Sequence, residues 1–131
     1  MKFKPFTIAI IILMGLTVLV ACNNATSSQI KFNKTQWDSA GDLESYPYRE
    51  AMLSDLIEHH KIKGLTYRQL IDSLGEPGNY KDAEDSIRYD IIVNFGYLDP
   101  KSGKYLSIGF GKDSIITGFK VVEWKNRHAN E

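Results

Sequence analysis

Two adjacent histidines, His59 and His60, are the side chains of this sequence that most invite a chemical role. Imidazole nitrogens are common metal ligands and general bases. Neighbouring residues of an α-helix point about 100° apart, however, so the two rings cannot easily bind one metal ion. The third histidine, His128, lies in a distant polar segment. We therefore predict no metal site and no cofactor, with one ring of the pair facing the core and the other facing solvent.

Other motifs that support catalysis or ligand binding lack the spacing that their chemistry requires. There is no Gly-x-Ser-x-Gly turn for a nucleophilic serine. One residue separates the glycines of GFGKDS, residues 109–114, whereas a Walker loop needs four and a following helix, so this segment is predicted to be a hairpin turn. The carboxylates of Asp82, Glu84 and Asp85 do not match an EF-hand loop. We expect a non-catalytic protein, and a formal net charge of +0 argues against a nucleic-acid partner.

The only cysteine, Cys22, ends an apolar run that follows a positively charged start. Lys2 and Lys4 precede the run over residues 6–20, and small polar residues follow the cysteine, as in a secretory signal. The sequence Leu-Val-Ala-Cys at residues 19–22 resembles a bacterial lipobox. This resemblance implies that residues 1–21 are a signal peptide, that Cys22 is acylated and holds the chain on a membrane, and that residues 22–31 are a flexible tether. An ordinary signal peptide or an uncleaved anchor, with an incidental cysteine, is the alternative.

The folded domain is predicted to span residues 32–125, with a polar tail at residues 126–131. Phe32 and Trp37 are interpreted as a clamp on the core rather than as a binding pair. A helix is predicted from Tyr48 to a stop at Gly64. Its apolar face has helical spacing, and Arg49 lies off that face. The residues of the face are Met52, Leu53, Leu56, Ile57 and His60.

The segment GLTYRQLIDSLGEP, residues 64–77, carries the signals of a short helix with both ends defined. Thr66 is a good N-cap, and Gln69 completes a capping box. Leu65 and Leu70 have the spacing of a hydrophobic staple. Gly75 is expected to end the helix, and Pro77 prevents its continuation.

After a polar, acidic loop at residues 79–85, the apolar pattern changes to a period of two, which is typical of strands. The predicted strands are residues 87–95, 105–110 and 115–124, joined by turns at residues 99–104 and 111–114. Two phases compete in the third strand, and a bulge at Gly118 would reconcile them. These elements predict an α+β fold in which two N-terminal helices pack on one face of a three-stranded antiparallel meander.

Residues 64–77 resemble the G-M-T-x-x-x-V-x-x-L-L-G-x-P segment of the SmpA/OmlA, or BamE-like, outer-membrane assembly lipoproteins. The segments RYDIIVNF and LSIGFGKDSIITGF resemble strands of that family, and the likeness covers residues 49–124 and the lipobox. The same layout is similar to the repeated unit of secreted β-lactamase inhibitor proteins. The resemblance implies a binding module on the periplasmic side of the outer membrane, with barrel-assembly components as partners. A periplasmic inhibitor or ligand-binding lipoprotein on this scaffold is the alternative.

Three aromatic residues are the candidates for a protein-binding surface. Tyr97 and Tyr105 are predicted to flank the first hairpin turn, and Trp124 ends the last strand. Aromatic side chains offer a large contact area and are enriched at the centres of interfaces. The alternative is that these three residues close the ends of a small core.

Overall fold

In the described chain, a layer of helices precedes an antiparallel sheet. The computed structural model describes residues 28–77, 81–83 and 85–127. The helices are α1 (Lys34–Trp37), a 3-10 turn (Asp42–Glu44), α2 (Arg49–His59) and α3 (Tyr67–Leu74). The strands are β1 (Lys81–Ala83), β2 (Ser86–Phe95), β3 (Pro100–Phe110) and β4 (Ile116–Lys125), in the spatial order β1-β2-β3-β4. The predicted α+β arrangement is confirmed.

The N-terminal segment clamps the core through Trp37, as predicted. Asn33 caps α1 by accepting a hydrogen bond from the N–H of Gln36 at 3.1 Å. This single turn, which the sequence did not predict, places Trp37 in the core with no exposed surface. Phe32 packs beside it, with 5.8 Å between the ring centroids.

Helix α2 buries Met52, Leu53 and Leu56, but it ends at His59 and not at the predicted Gly64. His60 is already extended, which allows Ile62 to enter the core. Gly64 has a φ of +88° and donates its N–H to the carbonyl of Ile116 at 2.9 Å. Gly64 therefore belongs to a turn that is hydrogen-bonded to the sheet, and it does not end the helix.

Helix α3 has the ends that its sequence predicts. Thr66 Oγ1 accepts from the N–H of Gln69 at 3.3 Å, and Gln69 Oε1 accepts from the N–H of Thr66 at 2.9 Å. Gly75 follows the helix with a φ of +79°, a conformation that favours glycine. Leu70 and Leu74 are buried against the sheet, with Leu65 packed beside them in the core.

The first turn of the meander lies earlier in the chain than predicted. Strand β3 begins at Pro100, and the hairpin turn is closed by the N–H of Gly96 donating to the carbonyl of Asp99 at 2.7 Å. Residues 100–104, predicted to be a turn, are therefore strand. Proline is tolerated as the first residue of a strand. Gly103 is required where the indole of Trp124 and the backbone of Ile92 approach its Cα.

Strand β4 contains the predicted irregularity. Gly109 pairs with Gly118 and Phe110 with Ile116, so Thr117 is an extra residue next to Gly118. This bulge lets Ile116 and Phe119 both face the helices, and it reconciles the two competing phases. The segment predicted to be an acidic loop also differs, because the short strand β1 pairs with the start of β2.

Candidate binding surface

The sheet has one face covered by helices and one face that no described helix covers. Tyr89, Ile91, Leu106, Ile108 and Ile116 belong to the core, together with the apolar residues of α2 and α3. Because side chains alternate along a strand, the residues between them lie on the opposite face. We call this opposite side the open face. It carries Arg88, Asp90, Tyr105, Val122 and Trp124.

Tyr105 lies in the middle of the open face, and not beside a turn as predicted. It pairs with Asp90 on one side and Val122 on the other. The Cζ of Arg88 lies 4.1 Å from the centroid of its ring, a cation–π geometry. Arg88 also binds the carboxylate of Asp90, with Nε and Nη2 at 2.7 and 2.6 Å from the same oxygen. The guanidinium that binds Asp90 thus also lies over the phenol ring of Tyr105.

Trp124 lies on the same face, directly opposite Gly103. A Cβ at Gly103 would lie 2.8 Å from the indole Nε1 and 2.5 Å from the carbonyl oxygen of Ile92, so the indole covers the glycine closely. The indole nitrogen is buried there with no hydrogen-bond partner among the described residues. Trp124 is a diagonal neighbour of Tyr105, within reach for aromatic side chains. The structure therefore brings these two predicted residues together.

Tyr97 is separate from the other two predicted residues, at the end of the β2–β3 hairpin. Its side chain is 97% exposed, and those of Leu98 and Phe95 are 80% and 44% exposed. We call these three residues the hairpin tip. No described residue packs over Tyr97, so the alternative that it closes the core is wrong for this position.

A shallow groove extends the open face away from the hairpin tip. Its volume is about 380 Å³, and its floor consists of small residues. Gly109 and Gly118 pair across it, with Ser107 and Lys120 alongside. The open face therefore combines an aromatic half with a half lined mainly by small and polar residues.

The two histidines share a carboxylate instead of dividing between core and solvent. Asp55 lies 3.1 Å from His59 Nδ1 and 3.5 Å from His60 Nε2. The same carboxylate accepts the N–H of Phe32 at 2.8 Å, which is the main reason that the pKa of Asp55 is lowered. Both rings remain partly exposed, and His60 packs edge-on against Phe32. The cluster fastens the N-terminal segment to α2.

Arg49 is the buried polar residue that the sequence pattern missed. It was predicted to lie off the apolar face of its helix, yet its side chain has no exposed surface. Nε donates to the carbonyl of Trp37 and Nη1 to the carbonyl of Asp90, each at 2.8 Å. Its guanidinium also lies 3.3 Å from the ring centroid of Tyr46. Burial lowers the pKa of this arginine.

Other predicted sites lie outside the described residues or have no counterpart within them. Cys22, Glu84 and His128 lie outside the described residues. Across residues 28–77, 81–83 and 85–127, no three metal-ligating side chains cluster, and no helix has the length and hydrophobicity to cross a bilayer. The GFGKDS segment forms the β3–β4 hairpin turn, as predicted.

Comparison of the chain with protein-family models, with curated proteins and with solved structures finds no match.

Proposed function

We propose that this protein is a lipid-anchored component of a bacterial cell envelope, whose domain binds another protein through the open face. The anchor is Cys22, because residues 19–22 resemble a lipobox. The membrane is the outer membrane, with the domain in the periplasm. The role is that of a non-catalytic accessory in outer-membrane protein assembly or envelope integrity. The resemblance of residues 49–124 to the SmpA/OmlA lipoproteins supports this role.

The observation that carries the proposal is that Tyr105 and Trp124 occupy diagonal positions on a face that no described helix covers. A sheet of this size normally buries one face and solvates the other with polar side chains. Here the solvated side presents two large aromatic rings at diagonal positions, next to Val122. Interface centres are enriched in aromatic residues and arginine. On the open face, the guanidinium of Arg88 lies over the ring of Tyr105.

The test is a photo-crosslinking experiment in intact envelopes. A photoreactive phenylalanine analogue replaces Tyr105 in one variant and Tyr48 in the control, since Tyr48 is 43% exposed at the start of α2. Crosslinks from Tyr105 to barrel-assembly components, absent from Tyr48 and reduced by Cys22→Ala, would support the proposal. Crosslinks to a soluble periplasmic enzyme would instead support the inhibitor function. Equal products from both positions would contradict a binding role for the open face.

A further inference from the structure

The hairpin tip is an apolar projection for which the folded domain gives no structural reason. Phe95, Tyr97 and Leu98 surround a turn that already closes through its own backbone hydrogen bond, from Gly96 to Asp99. Turns are normally formed by small polar residues. The exposed tyrosine and the exposed leucine next to it therefore indicate a binding partner outside the domain.

The direction of α2 shows which end of the domain the tether leaves. At the start of α2, the carboxylate of Glu50 lies 3.0 Å from Lys104 Nζ, in the half of β3 nearest the tip. After α2, the N–H of Gly64 reaches Ile116, at the opposite end of the sheet. The helix therefore runs away from the hairpin tip.

The N-terminal segment runs parallel to α2, so its upstream end points towards the hairpin tip. The N–H of Ile30 donates to the carbonyl of Ala51 at 3.0 Å, and that of Phe32 to the carboxylate of Asp55 at 2.8 Å. Five residues lie between Cys22 and Ser28, so the six Cα–Cα steps span at most roughly 20 Å. The tip extends about 13 Å beyond Lys104 along the strand. An anchor at Cys22 can therefore lie level with the tip.

The charges around the hairpin tip are those that favour a phospholipid surface. The N–H of Asn126 donates to the carbonyl of Lys101 at 2.8 Å, which brings the end of β4 beside the start of β3. Lys101, Lys125 and Arg127 lie on or next to these two strand ends, with Asp99 as the acidic residue of the turn. Tyrosine is favoured at the boundary between lipid headgroups and hydrocarbon, and lysine and arginine attract anionic headgroups.

From these observations we infer that the hairpin tip inserts Tyr97 and Leu98 into the interfacial region of the phospholipid bilayer that holds the acylated Cys22. This inference rests on the proposed lipid anchor. The two contacts, at the tether and at the tip, hold the domain with the strands pointing into the membrane and the open face turned sideways. Tyr105 and Trp124 then face along the membrane surface, where an integral membrane protein is accessible.

The test uses the full, acylated chain in vesicles of phosphatidylethanolamine and phosphatidylglycerol. Acylation occupies the thiol of Cys22, so a cysteine introduced by Tyr97→Cys can be labelled alone with a nitrobenzoxadiazole fluorophore. The matched control is Lys112→Cys, in the exposed turn at the opposite end of the sheet. Quenching is measured with nitroxide-bearing lipids and, separately, with aqueous iodide, while flotation reports the anchor.

We expect several-fold stronger quenching by lipid nitroxide at position 97 than at position 112, and the reverse order for iodide. Chains that float but show equal quenching at both positions would overturn the inference and leave the anchor intact. Shielding of position 97 from iodide without lipid quenching would mean that protein, including a second copy of this chain, covers the tip, and would also overturn it. A chain that does not float would overturn the anchor and the inference together.

Discussion

The two faces of the sheet use aromatic residues in opposite ways. On the covered face, Tyr89 is fully buried and its hydroxyl donates to the carbonyl of Gly75 at 2.7 Å. On the open face, Tyr105 and Trp124 are only partly buried. At the hairpin tip, Tyr97 is almost fully exposed. The contrast indicates that the covered face supplies the core, that the open face leaves part of its aromatic surface accessible, and that the tip holds aromatic surface that the fold itself does not need.

Arg49 is the residue that most strongly distinguishes the covered face, so its replacement should have the largest effect on stability. Arg49→Met leaves the carbonyls of Trp37 and Asp90 without their donors, and it removes the cation from the ring of Tyr46. We expect a loss of about 3–5 kcal/mol in the free energy of unfolding, because buried acceptors remain unsatisfied and packing changes. Urea denaturation followed by tryptophan fluorescence measures this loss.

Arg68→Met is the control for that substitution. Arg68 is an exposed arginine on α3, so its replacement should change the free energy of unfolding by less than about 0.5 kcal/mol. Equal changes in the free energy of unfolding for the two substitutions would mean that Arg49 contributes to stability only through its charge. The hydrogen bonds to the carbonyls of Trp37 and Asp90 would then add little.

A methyl group at Gly103 should disturb the open face with a smaller effect. The added Cβ of Gly103→Ala would overlap Ile92 and the indole of Trp124, so either the strands separate or the indole moves. We expect a destabilisation of about 1–3 kcal/mol and a shift in the emission of Trp124. Gly118→Ala is the matched control on the neighbouring strand, because no atom lies within 4 Å of its added Cβ. If Gly103→Ala changed neither the free energy of unfolding nor the emission of Trp124, this result would contradict the close packing of Trp124.

On the covered face, the hydroxyl of Tyr89 makes a pH-dependent contribution to the free energy of unfolding. Tyr89→Phe removes the hydrogen bond to Gly75 and should cost about 1–2 kcal/mol at neutral pH. Burial raises the pKa of Tyr89, so the folded protein holds the phenolic proton more tightly than the unfolded chain. The protonated hydroxyl of Tyr89 stabilises the fold fully at pH values below about 10, the pKa of a tyrosine in an unfolded chain. This stabilisation is lost as the pH rises further.

The measurement is the free energy of unfolding of both proteins across alkaline pH. The difference between wild type and Tyr89→Phe should shrink as the pH rises above about 10. Tyr48→Phe, at a tyrosine that is 43% exposed, should follow the wild type throughout. A difference that stays constant across this range would contradict the role of the buried proton.

Local signals in the sequence were sufficient for the elements that depend on neighbouring residues. The capping box of Thr66 and Gln69 is set within one turn of chain, and the structure has it as predicted. The alternation of residues 87–95 likewise predicts a strand, and β2 occupies Ser86–Phe95, but a register shift between Asp90 and Ile92 places Ile92 against the core and ends the predicted alternation there. The bulge next to Gly118 was also visible, as a conflict between two apolar phases in one strand.

Features that depend on distant residues could not be predicted in the same way. The segment Asp-Pro-Lys-Ser-Gly-Lys has the composition of a turn, but Gly103 is a strand residue that pairs with Val93 on one side and Trp124 on the other. Arg49 has the polarity of a surface residue, yet its partners come from α1 and β2. The candidate site was therefore only partly predictable: Tyr105 and Trp124 share a face through the pairing of β3 with β4, whereas Tyr97 lies apart.

Substitution of the hairpin tip should have the smallest effect on folding, and this separates the tip from both faces of the sheet. Tyr97→Ser combined with Leu98→Ser removes side chains that are 97% and 80% exposed. Because the unfolded chain exposes these groups equally, the free energy of unfolding should change by less than about 0.5 kcal/mol. Loss of more than about 1 kcal/mol would show that the tip packs on the domain, and its apolar surface would then need no external partner.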